Sequence, residues 1–278
     1  MGTSEQWDYC KLNLGEWRGS FAQLSPTGEI VRESPSLLQL KERNDARQVQ
    51  LELEVFDALT GTRERHIEFA IAFDNVDPKL AFFETGAFVQ GSLQFSPLAE
   101  FGAEFGFIAG DRRHRQVQLY KPGAQLPRIT TIREYRVGSN ASEQPALTIE
   151  ALLGDWQGEA ITHYVGDRPT ERYSTQLQVS RDGDRLWQTT RFPTGEMTSS
   201  ARIQDRTLLF DESANAVQVL LLEDGSSATV PLAIPRVRSF FLEAGWLHAP
   251  TQRQRLIRRY GDRGNLESIT LVVETKQA

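Results

Sequence analysis

Cysteine is almost missing from this 278-residue chain. Cys10 stands alone, so no internal disulfide can form and no thiolate cage can hold a metal. A reducing compartment fits that usage. Histidine is scarce too: His66, His114, His163 and His248 are the full set, and no two of them lie at metal-ligand spacing. Each reads as a surface or strand histidine. No run approaches the ~18 apolar residues that cross a bilayer, and the N-terminal residues lack the charged-then-apolar order of a secretion signal. The expectation is a soluble, cytoplasmic protein with no membrane span. A P-loop, a Gly-x-Ser-x-Gly elbow, a Gly-x-Gly-x-x-Gly turn and a His-Glu-x-x-His helix are also missing. No catalytic residue is therefore assigned, and no resident cofactor or metal is expected. Positive charge is in deficit as well. A net charge of −6 excludes a general nucleic-acid or anionic-membrane surface, which needs a concentrated basic face. The basic clusters Arg112-Arg113-His114-Arg115 and Arg253, Arg255, Arg258, Arg259 read as strand residues pointing alternately to two faces, rather than as a phosphate-binding patch.

What the chain does contain is a repetition. At an offset of 139, Leu14-Gly15-Glu16-Trp17-Arg18-Gly19 falls on Leu153-Gly154-Asp155-Trp156-Gln157-Gly158, and Leu38-Gln39 falls on Leu177-Gln178. The same offset brings Glu104-Phe105-Gly106-Phe107 onto Glu243-Ala244-Gly245-Trp246. One residue further, Arg113, Arg115, Tyr120, Leu126, Ile129, Thr130 and Glu134 meet Arg253, Arg255, Tyr260, Leu266, Ile269, Thr270 and Glu274. Chance seldom keeps one register at both ends of so long a segment. The chain is two copies of one unit, each near the usual domain size of about 100–150 residues. The boundary falls in the polar stretch Gly138 to Pro145, giving an N-terminal unit over residues 1–138 and a C-terminal unit over 146–278. Two independently packed cores are expected. Asn140-Ala141-Ser142 in the boundary has the form of a glycosylation sequon, but without a secretion signal it is linker chemistry.

Each unit opens on a short helix: Trp7, Cys10, Lys11 and Leu14 at helical spacing after Ser4, and Ile149, Leu152 and Leu153 after Thr148. Gly15 and Gly154 stand where helix-terminating glycines belong. Cys10 then faces a core and is not a nucleophile. Beyond the helices the period changes to two. Gln50 to Val55, His66 to Phe73, Gln116 to Leu119 and Tyr173 to Val179 alternate polar and apolar, while Ala216 to Leu222 and Ile269 to Val273 are β-rich. Turn signals such as Leu59-Thr60-Gly61, Arg181-Asp182-Gly183-Asp184, Glu223-Asp224-Gly225 and Gly261-Asp262-Arg263-Gly264 separate them. Each unit holds roughly eight or nine short strands in meander order, which suits a closed antiparallel barrel without edges.

A short helix, then Gly-x-Trp on a first strand, then arginine on a late strand resembles the lipocalin or calycin pattern. The residues are Gly15 and Trp17 with Arg113 or Arg115, and Gly154 and Trp156 with Arg253 or Arg255. More closely, the chain resembles a cyanobacterial and plant family of unknown function with two lipocalin-like halves in tandem. That resemblance rests on Leu14 to Gly19, Glu84 to Ser92, Glu104 to Arg115, and above all Leu242 to Leu247 through Arg253 to Arg258. It implies an all-β fold of two tandem lipocalin-like up-and-down barrels, each preceded by a short helix. The same barrel class includes the phycobilin lyases and resembles the allene oxide cyclases. The fold therefore implies a pocket for an elongated or conjugated molecule without naming one.

Trp17 and Trp156 read as structural plugs, each with its indole N–H on a backbone carbonyl and an arginine stacked beside it; ligand contact is the alternative. Glu104 and Glu243 occupy the same place in the two copies, so each should pair with an arginine, Arg115 and Arg255 respectively. The Glu104–Arg115 pair reads as structural. Phe240, Glu243, Trp246, Arg255, Tyr260 and Trp187 form the candidate ligand set of the second unit, with core packing as the alternative for its aromatics. The function expected is non-catalytic binding of a small apolar or conjugated ligand, a pigment, tetrapyrrole or lipid-like molecule, in a photosynthetic organism. Two rivals stand beside it. One is a bilin lyase or cofactor-free isomerase or cyclase in which Glu243 and Tyr260 move a proton; the other is a scaffold in the assembly of a photosynthetic protein complex.

Overall fold

Strands whose side chains alternate in polarity bury one face, and a meander of them curls until that face closes on itself. The computed structural model, which describes residues 3–43, 47–72, 79–123, 126–212, 215–235 and 237–277, arranges the chain in this way. The N-terminal half runs α1 (Thr3–Lys11), β1 (Gly15–Leu24), β2 (Ile30–Glu42), β3 (Gln48–Phe56), β4 (Arg63–Ala72), β5 (Leu80–Phe82), β6 (Phe88–Gly91), β7 (Phe101–Ala109), β8 (Arg112–Tyr120) and β9 (Arg128–Arg136). The C-terminal half runs α2 (Ile149–Leu152), β10 (Gly154–Tyr164), β11 (Glu171–Asp182), β12 (Arg185–Phe192), β13 (Gly195–Gln204), β14 (Thr207–Phe210), β15 (Val217–Leu221), β16 (Ser226–Pro231), β17 (Phe240–Ala249), β18 (Gln252–Tyr260) and β19 (Leu266–Lys276).

The fold is all-β, with the two halves built differently. In the C-terminal half every strand pairs with the next and β19 returns to β10, Trp156 opposite Lys276, so the barrel is closed. The N-terminal half is a curved nine-stranded sheet in the order β4-β3-β2-β1-β9-β8-β7-β6-β5, a half-barrel whose end strands are unpaired among the described residues. Its end strands β4 and β5 have 10 and 3 residues. The alternating run from His66 is β4 as far as Ala72, and Phe73 lies outside the described residues.

Each inner face is sealed at one end by its helix and tryptophan. Trp17 packs with Trp7 and Cys10 of α1 and with Leu38, Leu53 and Phe88 from the sheet. Trp156 packs with Ile149 and Leu152 of α2 and with Leu177, Leu186, Ala201 and Leu208. The indole N–H donates 2.9 Å to the Asn13 carbonyl in the first case and 2.9 Å to the Leu152 carbonyl in the second. Arg136 lies 4.3 Å over the Trp17 ring and Arg253 4.7 Å over that of Trp156. Both tryptophans are thus buried, with the indole N–H bonded to a backbone carbonyl. Burial pushes the Cys10 thiol up to about 12 and leaves it un-ionised. Gly15 and Gly154, at φ 128° and 111°, stand where the chain turns from helix into first strand, a backbone region unsuited to other residues.

The expectation of two independent cores fails on the outer faces. One apolar cluster contains Phe101, Phe105, Phe107 and Tyr120 from the N-terminal half and Phe240, Leu242, Trp246 and Tyr260 from the C-terminal half. A second joins Ala22, Leu24 and Ile129 to Leu220, Leu222 and Ala228. Strands β7, β8, β17 and β18 are consequently covered on both sides, which is why Arg112 to Gln116 are all buried despite their polarity.

The contacts across this interface are reciprocal. Phe101 meets its own repeat partner Phe240 at 5.8 Å between ring centroids, and Phe107 meets Trp246 at 6.3 Å. The Tyr120 hydroxyl donates 3.2 Å to the Pro231 carbonyl, and the equivalent Tyr260 hydroxyl donates 3.0 Å to that of Ser92. His114 Nδ1 lies 3.3 Å from Asp224 Oδ2, and the Thr85 hydroxyl lies 3.3 Å from Gln254 Oε1 at the matching place. Residue i touching j′ while i′ touches j is the pattern of a two-fold interface.

Asp224 ties the linker into it. Its carboxylate takes 2.6 Å from Arg112 Nη2 and 2.8 Å from the Gln144 N–H, and its carbonyl accepts the Trp246 indole at 2.9 Å. The rest of the linker stays largely exposed, so limited proteolysis should cut first between Gly138 and Pro145. The two fragments, of similar mass, should still co-elute from a gel-filtration column until denaturant is added. Fragments that separate in plain buffer would mean the shared clusters contribute little.

Candidate functional site

The inner-facing positions follow from the register. Trp156, Leu177, Leu186, Ala201 and Leu208 converge inside the barrel, and the paired row Thr229, Glu243, Ile257, Thr270 and the row Ser227, Gly245, Arg255, Val272 lie on that same face. Directly above the plug stands a lattice of charge. Glu274 accepts from Arg253 Nε at 2.6 Å and from Arg255 Nε and Nη2 at 3.1 and 2.9 Å. Arg255 turns its Nη1 to Glu243 at 3.3 Å. The N-terminal half repeats the arrangement residue for residue, with Arg113 using Nη1 where Arg253 uses Nε. Glu134 accepts from Arg113 Nη1 at 2.9 Å and from Arg115 Nε and Nη2 at 3.0 and 2.7 Å, while Arg115 Nη1 reaches Glu104 at 2.8 Å.

Bidentate pairing is what makes so much buried charge tolerable. Burial alone would raise the Glu274 pKa, but Arg253 and Arg255 outweigh it and hold the carboxyl at about 2. Glu134 is depressed against the same burial by Arg115 and Arg113. Arg113 is pulled down to about 10 by burial, in spite of Glu134. Glycine makes the room: a Cβ at Gly158 would lie 3.1 Å from Glu274 Cγ, tighter than ordinary contact. Beside that glycine the buried Thr175 hydroxyl has no hydrogen-bond partner among the described residues, nor has Arg253 Nη2.

Above this lattice several inner-facing side chains of the C-terminal barrel are incompletely buried. Strands β14 and β15, with 4 and 5 residues, are shorter than the 10-residue β13. Inner-facing Tyr173, Gln188, Ser199, Val219, Ile257 and Thr270 all keep partial solvent exposure, and the Glu243 and Arg255 side chains remain 13% and 18% accessible at the bottom. Phe192 and Met197 stand exposed at the rim. The N-terminal half-barrel is open along its unpaired ends, with inner-facing Phe69 exposed and Phe21 half-buried 5.5 Å under the Arg115 guanidinium.

The sequence-predicted ligand set is divided between the two faces of the wall. Glu243 and Arg255 point inward. Phe240, Trp246 and Tyr260 point outward and are buried against the N-terminal half, with Phe240 stacked on Tyr260 at 4.9 Å. Trp187 is also outward-facing, 41% exposed beside Arg185. Which parity of β17 and β18 faces the lumen was not visible in the sequence. Glu134 and Glu274 were missed as partners although the repeat contains both. Asp224 and His114 were missed because a turn aspartate and an unmatched histidine carry no local sign of long-range pairing.

A cleft of about 220 Å³ lies between the halves, lined by Glu5, Tyr9, Phe83, Glu84, His163 and Arg172 among others. His163 stacks on Phe83 at 4.9 Å, and burial lowers its pKa to about 4, so the imidazole is neutral. Among the described residues no cluster of His, Cys, Asp and Glu is arranged to hold a metal, and no helix is long and apolar enough to cross a membrane.

A crystal structure of a Nostoc punctiforme protein of unknown function from the DUF3598 family is 40% identical, covers 98% of this chain and 99% of its own, and superposes with a TM-score of 0.89. The chain belongs to the DUF3598 family. The N-terminal half, residues 3–139, matches the domain of unknown function DUF3598, N-terminal. Residues 143–277 match the domain described as Biogenesis factor required for ATP synthase 1, C-terminal domain. The S-type phycobiliprotein lyase CPES from Guillardia theta is similar at 12% identity over 47% of this chain and 90% of its own, with a TM-score of 0.38. No curated protein matches the chain in sequence. In this DUF3598 protein each of the two matched domains carries one complete arginine–glutamate lattice.

Proposed function

We propose that the chain is a non-catalytic binding protein that holds a small apolar or conjugated molecule in the lumen of its C-terminal barrel. The observation that carries this reading is the partial exposure of inward-facing side chains inside a closed ring of strands, above a fully packed plug. A space bounded by rigid walls, with apolar Val219 and Ile257 on one side and hydrogen-bonding Gln188, Ser199 and Tyr173 on the other, suits a ligand that is mostly apolar with a polar end. Of the expected ligand residues, Glu243 and Arg255 remain in the proposal; Phe240, Trp246 and Tyr260 leave it for the interface, and Trp187 for the outer surface.

Proton transfer by Glu243 and Tyr260 loses support, because the two side chains are on opposite faces of the sheet and the tyrosine hydroxyl is already donated to Ser92. The scaffold reading gains a specific observation in the match of residues 143–277 to the domain described above as part of a biogenesis factor. Titration of wild-type protein with fluorescent apolar probes and bilins separates the two. Saturable binding at micromolar concentration, lost when Ile257 is replaced by tryptophan in the lumen, supports the carrier. No binding by any probe, with the protein recovered from its host as a colourless member of a stable complex, would put the scaffold in its place.

A further inference from the structure

Resting on the carrier reading, a second step concerns the charge of the cargo. A carboxylate reaching the floor of the lumen would look for a guanidinium, and Arg255 is the partly exposed one beside Glu243 there. Its hydrogen-bonding edges are already occupied: Nε and Nη2 by Glu274, and Nη1 by Glu243. Arg253 faces the same carboxylate at 2.6 Å. Two guanidinium groups and two carboxylates therefore cancel within hydrogen-bonding distance. Lys276 lies one inner-facing row closer to the plug, 5.4 Å from the Trp156 ring with its Nζ on the Ala151 carbonyl. At the rim Arg168 is spent on Glu171 at 2.8 Å, and Arg259, one inner row above Ile257, faces Glu267 at 3.8 Å. Among the described residues the wall between carries neutral groups such as Gln188, Ser199 and Thr270.

An anionic end group brought to that floor would lose its hydration and find Arg255 already paired, whereas a hydroxyl or carbonyl would exchange water for amide and hydroxyl partners. We propose that Glu243 is a specificity-determining residue: by holding the free edge of Arg255 it makes the lumen select uncharged apolar molecules with a hydroxyl or carbonyl end, and reject the carboxylates of the same skeleton. The Glu243 arm is the longer and more exposed one, at 3.3 Å against 2.9 Å for Glu274. Removing its charge leaves the bidentate Glu274 pair intact and frees positive charge toward the lumen.

Retinol and retinoate, alike except for the terminal group, test this on the full-length protein by ligand and tryptophan fluorescence. Wild type should bind retinol at least about tenfold more tightly than retinoate. In Glu243→Gln retinoate should gain about tenfold while retinol stays within about twofold, because only the charged ligand senses the freed guanidinium. Equal binding of the two by wild type would overturn the proposal and leave the carrier standing, without relying on any variant. A folded Glu243→Gln protein with unchanged preference would do the same. If neither molecule binds either protein, the carrier reading falls and this proposal falls with it.

Discussion

Glu274→Ala is expected to destabilise the protein by about 3–5 kcal/mol, the usual cost of removing one partner from a buried charge pair. The carboxylate is 1% exposed and is shared by two guanidinium groups, so the substitution leaves Arg253 and Arg255 facing one another with only Glu243 between them and the lumen. The loss should depend on pH in a definite sense. Arg253 and Arg255 hold the Glu274 carboxyl at about 2 in the folded protein, well below the ordinary 4.5 of a glutamate. Its contribution is therefore present in full above about pH 4.5 and is lost as the pH falls toward 2. Urea unfolding of wild type and variant at pH 7 and pH 3 should give a gap that narrows at the lower pH. A gap below about 1 kcal/mol at pH 7, or one equally wide at both, would show that the lattice is not the stabilising unit it resembles.

The plugs give the other large effect. Trp17→Ala and Trp156→Ala should each cost about 3–5 kcal/mol, because each ring is at most 1% exposed, closes one end of its sheet and uses its N–H on a buried carbonyl. The two belong to different clusters, so the double variant should lose nearly the sum. Phe101→Ala with Phe240→Ala should behave differently. Those rings touch across the interface at 5.8 Å, so a coupling of about 0.5–3 kcal/mol is expected. Unfolding curves for both cycles distinguish a plug from an interface. Additivity at Phe101 and Phe240 would mean that the shared cluster is not shared energetically.

The plugs, the strand runs and the pairing of Glu104 and Glu243 with arginine were legible in the sequence because each is set locally and then stated twice. A tryptophan after a helix-ending glycine and a carboxylate at the same register in two copies need no knowledge of the remaining fold. The faces were not legible in β7, β8, β17 and β18. There both sides of the strand are buried, one against a lumen lattice and one against the other half, so Arg113 and Arg115 inward and His114 and Gln116 outward are all sequestered. Burial on both faces removes the contrast by which alternation tells inside from outside. For that reason the sequence reads Trp246 as a pocket wall, where the structure buries it between the halves. Openness of the N-terminal sheet was illegible for another: β5 and β6 have 3 and 4 residues, which carry too little pattern for their pairing to be read.

The reciprocal contacts between Tyr120 and Pro231, Tyr260 and Ser92, His114 and Asp224, and Thr85 and Gln254 are those a symmetric dimer of one half would make. Joining the two subunits through the linker that Asp224 anchors turns a bimolecular encounter into an intramolecular one, and association no longer depends on concentration. It also releases the copies from having to be identical. A homodimer must place every substitution in both subunits at once; a fused pair can keep one barrel closed while the other opens. The hydrogen bond between Thr85 and Gln254 on one side, against the ion pair of Asp224 with Arg112 and its contact with His114 on the other, is that freedom in use: one repeated contact written in two chemistries, the first neutral and the second charged.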